Sequence, residues 1–164
     1  MSQVRQYQEE MNRHIDEIVR KVESLSEEMI RWKPSEDEWS IMEILCHVEE
    51  VIRYWVNELV RVIQAGGTEW GRGLQDKARL AAVRQAYHRS IDDVIHGIQK
   101  ARDYANEQFS SLKDEDLSVE APHRNPKFGV KPMTFLIEHF ITEHLYNHGK
   151  QIERNIAKYH QFVK

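Results

Sequence analysis

The sequence is poor in cysteine, with Cys46 as its only one among 164 residues. An intramolecular disulfide is therefore impossible, and zinc sites built from two or four cysteines are excluded. The chain also lacks a run of 18 apolar residues, and its first residues are too polar for a signal peptide. These absences predict a cytoplasmic protein in a reducing setting, with no membrane partner.

An excess of charge of one sign is also missing. The net charge is −4, and acidic and basic residues are interleaved along the chain without a basic patch. Because nucleic-acid binding needs such a patch against the phosphate backbone, we expect no nucleic-acid partner. The balance of 40% hydrophobic and 30% charged residues is ordinary for a globular protein. The length predicts a single domain over residues 1–164, large enough to bury roughly 70% of the unfolded surface.

The apolar residues that are present follow helical periodicity. They recur at intervals of three and four, which predicts four amphipathic helices over about residues 2–25, 40–65, 76–112 and 132–159. The third segment is long enough to suggest a bend near Gly97. Residues 66–75 and 113–131 read as loops, and no segment predicts a strand with any strength. Four helices with one apolar stripe each predict an all-α four-helix bundle, with a long loop before the last helix.

The start of the second helix is the best marked in the chain. Ser40 stands three residues before Glu43, as in a capping box, and Trp39 with Ile44 fits a hydrophobic staple. His47 then lies about two turns inside a well-anchored helix. Its direction is therefore expected to be fixed.

Three histidines are the strongest functional signal. His144 and His148 are four residues apart on the apolar stripe of the last helix, and His47 lies close to the stripe of the second. Residues at this spacing point the same way from adjacent turns, so two imidazoles can bind one metal ion and a third can join from a facing helix. Any one of them alone is more simply a core histidine. Burying all three is costly without partners, and one divalent ion satisfies them together.

Other metal-binding classes do not fit the sequence. Di-iron bundles require an acidic residue three positions before a ligand histidine. No such residue precedes any of the histidines on the two helices: His47, His139, His144 and His148. No His-Glu-x-x-His motif is present either, which excludes a zincin. A mononuclear site of three histidines with an open position remains.

The remaining candidates have weaker signals. His139 is expected to lie off the ligand line, and the other histidines are expected to be solvated, although His123 is in a loop that can approach the site. Trp70 is expected at a pocket mouth, whereas the other tryptophans read as core or staple residues, and Cys46 reads as a small buried hydrophobe. Four side chains near the ligands can support them or be simply solvated: Glu43, Glu143, Asn147 and Gln151.

Two motifs carry a resemblance to a known family. The pattern W-S-x-x-E-x-x-x-H at 39–47, with H-x-x-x-H-x-x-Q at 144–151, resembles the DinB-like (YfiT-like) superfamily of bacterial metal-binding four-helix bundles. The resemblance implies that His47, His144 and His148 bind one divalent metal, Zn²⁺ or Ni²⁺. It also implies an up-down-down-up bundle and a homodimer. The family usually has Arg-Gly after the last ligand, where this chain has Gly149 and Lys150.

The predicted function follows from both arguments. We expect a metal-dependent enzyme acting on a small molecule, by transfer of a low-molecular-weight thiol co-substrate or by hydrolysis, and the resemblance favours transfer. A non-enzymatic metal-binding or stress-response bundle is the alternative, and an interaction bundle without metal is a third reading. The sequence names no acid, base or organic cofactor site.

Overall fold

The computed structural model describes residues 2–163, and most of them are helical. Serine or aspartate side chains cap several helix starts, accepting a hydrogen bond from the backbone three residues on, as Ser2 and Asp76 do. The elements are the helices α1 (Gln3–Val22), α2 (Glu27–Arg31), α3 (Ile41–Gln64), α4 (Lys77–Arg84), α5 (Ile91–Ser110), α6 (Met133–Phe135) and α7 (Glu143–Phe162), and the strands β1 (Glu120–Pro122) and β2 (Val130–Pro132).

The long helices α1, α3, α5 and α7 form the predicted four-helix bundle. Their apolar stripes meet in one core, where residues such as Met11, Ile44, Ile98 and Ile152 are fully buried. Each helix has a single apolar stripe, so packing the four helices together removes all four stripes from water. The all-α class is therefore confirmed, while the up-down-down-up order stays a prediction. No helix within residues 2–163 has the length and apolar character needed to cross a membrane.

Two predicted helices are shorter than expected, and the short helix α2 lies in a stretch for which no helix was predicted. The first ends at Val22, and the short helix α2 follows after a new cap at Ser26. The third was predicted to bend near Gly97, but it is broken earlier, by a 3₁₀ turn at Gln85–His88 and a new cap at Ser90. Serine at these positions competes for backbone hydrogen bonds and so begins a helix anew, a signal that apolar spacing alone misses.

The connection before the last helix is more ordered than the sequence predicted. It contains a 3₁₀ turn at Asp114–Ser118, and β1 and β2 pair antiparallel, with Ala121 opposite Lys131. The expectation of no strand was therefore wrong for these short segments. Strands of three residues are too short to show the alternating pattern on which a prediction rests.

The hairpin anchors the loop between α3 and α4. Trp70 is 1% exposed and donates its indole N–H to the carbonyl oxygen of Ala121, 3.2 Å away. Its backbone N–H donates to the carbonyl of Pro122, while the N–H of Gly71 donates to the carboxylate of Glu58 on α3. These contacts fix the loop just before Arg72, which lines the main cavity.

The last helix changes its winding. Residues Leu136–Thr142 form a π-helix between α6 and α7, and the N–H of Glu143 donates to the carbonyl of Glu138, five residues back. Such wide turns inside helices are often found at functional sites. In this protein the π-helix leads directly into the turn that carries His144.

Candidate metal centre

The predicted capping box fixes the helix that carries His47. The Ser40 hydroxyl accepts from the N–H of Glu43 at 3.1 Å, and the Glu43 carboxylate accepts from the N–H of Ser40 at 2.9 Å. Two otherwise unpaired backbone donors are satisfied in this way. His47 lies in the following turns, 2% exposed, with its ring centroid 4.9 Å from that of Trp39.

His47, His144 and His148 converge at one point. One possible ligand atom from each residue lies within 4.8 Å of those of the other two. The ring centroids are 4.5 Å apart for His144 and His148, 4.8 Å for His47 and His148, and 5.6 Å for His47 and His144. Within residues 2–163, no other group of three or more histidine, cysteine or acidic residues has this geometry.

The electrostatics of the cluster keep the imidazoles neutral. Burial, and after it the neighbouring imidazoles, lower the pKa of His47 to about 2 and that of His144 to about 3. Burial also lowers the pKa of His148. All three are therefore unprotonated near neutral pH, which is the form that binds a metal ion.

Two ring nitrogens of the cluster are buried without a partner. They are His47 Nδ1 and His148 Nε2, for which residues 2–163 provide no hydrogen bond. The other nitrogen of His148, Nδ1, lies 2.9 Å from Oε1 of Gln151. Because that oxygen only accepts, Nδ1 bears the proton and Nε2 keeps its lone pair. Buried nitrogens without a hydrogen-bond partner cost free energy. A divalent ion coordinated by the three imidazoles would provide the missing partner.

The cluster opens into a cavity of about 360 Å³. This volume is within the range of small-molecule sites. The apolar part of its wall is formed by Val51, Trp55 and Phe140. The positive charge of the wall comes from Arg72 and Arg79. The full lining consists of His47, Val51, Trp55, Arg72, Gly73, Leu74, Arg79, His139, Phe140, Glu143, His144, Asn147 and His148.

The π-helix explains two lining residues that the sequence prediction missed. His139 was expected to lie off the ligand line because five residues span about 500° in an α-helix. In a π-helix, hydrogen bonds join residues five apart, so His139 and His144 lie on the same side. Phe140 is brought to the cavity by the same winding.

Four further lining residues that the sequence prediction missed come from the loop and helix after α3. Arg72, Gly73, Leu74 and Arg79 line the cavity although nothing in their spacing marks them. Their position depends on the contacts of Trp70 with the hairpin, which join segments about fifty residues apart. The cap at Asp76 is a local signal for α4, but it does not indicate which way Arg79 points.

The predicted supporting residues divide into two groups. Glu143 and Asn147 line the cavity, and Gln151 contacts His148. Glu43 is engaged in the cap and lies 3.8 Å from Lys33. Cys46 is buried as expected, and burial raises the pKa of its thiol to about 11.

Some predictions on aromatic residues were wrong. Trp70 is buried under the hairpin instead of at a pocket mouth. Trp55 is buried in the core as predicted, and it lines the cavity as well. His14 and His123, expected to be solvated, are buried, the latter stacked on Phe140 at 5.4 Å between ring centroids. The other three are exposed as predicted: His88, His96 and His160.

The fold and the site together define a class: a helical bundle with a three-histidine cluster that could hold a metal ion. The family model of the DinB superfamily matches residues 10–152, and the chain therefore belongs to this superfamily. A comparison with curated protein sequences gives no match.

Among solved structures, the chain is similar to YfiT from Bacillus subtilis, described as a probable metal-dependent hydrolase with an unusual four-helix bundle topology. The TM-score is 0.74 at 9% identity, over 94% of this chain and 88% of that one. At this identity the likeness shows the fold.

Proposed function

We propose that the protein is a metal-dependent enzyme, in which His47, His144 and His148 hold one Zn²⁺ or Ni²⁺ ion. The observation that carries this proposal is the convergence of three neutral imidazoles, one buried and two partly buried, with ligand atoms within 4.8 Å of one another beside a cavity. Three protein ligands leave room for a further one, as in catalytic sites, whereas structural zinc sites are closed by four. The family and the metal-dependent description of YfiT support the same conclusion.

The chemistry of such a site comes from the charge of the ion, which when bound lowers the pKa of a coordinated water or thiol and polarises an acceptor. The residues of the chain hold the ion and orient the imidazoles that bind it. Gln151 fixes the ring of His148 by a hydrogen bond. Trp39 packs against His47 and so restricts the orientation of that ring. Val51, Trp55 and Phe140 provide an apolar wall that keeps water from the substrate.

The reaction we propose is transfer of a small thiol to an electrophilic acceptor. The chain has a single thiol of its own, on Cys46, and it is buried and held protonated by its raised pKa. Since the thiolate is the reactive form, the nucleophile must come from a low-molecular-weight co-substrate. Metal-assisted hydrolysis is the second candidate, favoured by the description of YfiT.

Elemental analysis of protein purified without a metal-affinity tag tests the site. We expect one divalent ion per chain in the wild type and none in His148→Ala. The matched control is His96→Ala, which removes an exposed histidine on α5 and should keep the ion.

Loss of thiol in the presence of electrophilic acceptors then tests the reaction, and His148→Ala should be inactive in this assay. Equal metal content in all three proteins contradicts the proposed centre, and full content with no turnover favours a binding protein.

A further inference from the structure

The cavity contains a positive charge without a carboxylate partner. Arg79, on α4, lines the cavity together with the three histidines. Within residues 2–163, no carboxylate oxygen lies within ion-pair distance of its guanidinium, which donates one hydrogen bond, to the carbonyl of Leu74 at 3.0 Å. It lies over the ring of Trp39, 5.6 Å from the centroid. Most of its donors are therefore available to a ligand.

Arg72 differs from Arg79 in this respect. Its side chain is 5% exposed and forms a two-pronged ion pair with Glu50. It also lies 3.3 Å from Asp76 and stacks 3.8 Å from the ring centroid of Tyr54. Arg72 is thus neutralised and fixed by the protein itself, and it acts as part of the wall.

The position of Arg79 is defined by the same carboxylate that holds Arg72. Asp76 caps α4 by accepting from the backbone N–H of Arg79 at 3.1 Å, while the same oxygen lies 3.3 Å from Arg72. The backbone that carries the free guanidinium is therefore anchored. The acidic member of the lining is Glu143, which is exposed at the cavity and does not pair with Arg79.

From this arrangement we infer that the substrate or the co-substrate thiol carries a carboxylate group, which Arg79 binds while the reacting atom faces the three histidines. The inference rests on the proposed function, because both use the same cavity. A guanidinium presents two parallel N–H groups that match the two oxygens of a carboxylate. We favour a carboxylate over a phosphate because, within residues 2–163, Arg79 is the one arginine of the lining without an ion pair, and one such cation balances a single negative charge.

Calorimetric titration of the zinc-loaded protein with 3-mercaptopropionate and its neutral amide tests the inference. We expect the carboxylate to bind about tenfold or more tightly than the amide, as charged hydrogen bonds provide. Arg79→Gln should abolish this preference at unchanged zinc content, and Arg79→Lys should keep part of it. Arg84→Gln, which removes an exposed arginine of the same helix, should behave as wild type.

The outcomes separate this inference from the proposed function. Failure of the protein to bind zinc contradicts the metal centre itself. A preference for the carboxylate that survives in Arg79→Gln means that the metal binds it directly, and it overturns the role of Arg79. Tighter binding of 2-mercaptoethylphosphonate than of the carboxylate, lost in Arg79→Gln, overturns the choice of a carboxylate.

Discussion

Gln151 determines which nitrogen of His148 is available. The amide oxygen accepts from Nδ1 at 2.9 Å, so the lone pair is on Nε2, which is buried and unpartnered. Groups in this position orient metal-binding imidazoles and raise their basicity, and their loss typically weakens metal binding 10- to 100-fold. The orientation of this candidate ligand therefore depends on a residue that does not line the cavity.

We predict that Gln151→Ala lowers metal affinity by about 10- to 100-fold, because His148 loses the acceptor that fixes its tautomer and ring orientation. Competition with a chromophoric chelator measures the affinity. Gln151→Glu restores an acceptor at the same reach and should bind metal at least as tightly as wild type. Unchanged affinity in Gln151→Ala would show that the packing around His148 alone orients the ring.

The three histidines and their neighbours on the last helix, Glu143, Asn147 and Gln151, were predictable from the sequence, and the residues that other turns and loops contribute were not. The spacing of His144 and His148 is a property of one helix turn, and the cap at Ser40 fixes the phase of His47. Arg79 depends on a loop held by tertiary contacts of Trp70, and His139 depends on a π-helix. Apolar periodicity assumes regular winding, so it cannot reveal either position.

At the scale of the helices, Gly97 shows how two elements approach each other. A Cβ atom at this position of α5 would lie 1.5 Å from Oε2 of Glu49 on α3. That carboxylate forms a two-pronged ion pair with Arg89, with distances of 2.5 and 2.9 Å. The glycine that suggested a bend in the sequence instead makes room for an ion pair between α3 and the segment just before α5.

We predict that Gly97→Ala destabilises the protein by about 1 kcal/mol, although alanine is the better helix former by about 1 kcal/mol. Glu49 must move away from the new methyl group, which weakens charged hydrogen bonds worth about 1.5–3 kcal/mol. Urea denaturation measures the change in the free energy of unfolding.

A double-mutant cycle provides the control. In a Glu49→Ala background the methyl group meets no carboxylate, and Gly97→Ala should then stabilise the protein by up to about 1 kcal/mol. Gly73→Ala serves as a second control, because a Cβ at that position has no atom within 4 Å. The same effect in both backgrounds would mean that Glu49 is not the obstacle.

At the scale of the molecule, the candidate centre connects parts of the chain that are far apart in sequence. His47 is on α3, and His144 and His148 are on α7, about one hundred residues later. The apolar stripes alone bring these helices together in the bundle, which explains why the fold could be predicted while its loops could not. An ion held by both helices adds a link that is absent from the unfolded chain.

This link makes thermal stability a measure of the centre. A ligand at a free concentration one hundred times its dissociation constant stabilises the folded state by about 2.7 kcal/mol. For a chain of this size, about 1 kcal/mol raises Tm by roughly 2–4 °C. We therefore predict that Zn²⁺ raises Tm of the metal-free protein by about 5–10 °C in differential scanning calorimetry. Mg²⁺, which prefers oxygen ligands, should have no such effect. His148→Ala should remove the shift, and a shift of equal size in that variant would place the bound ion elsewhere on the protein.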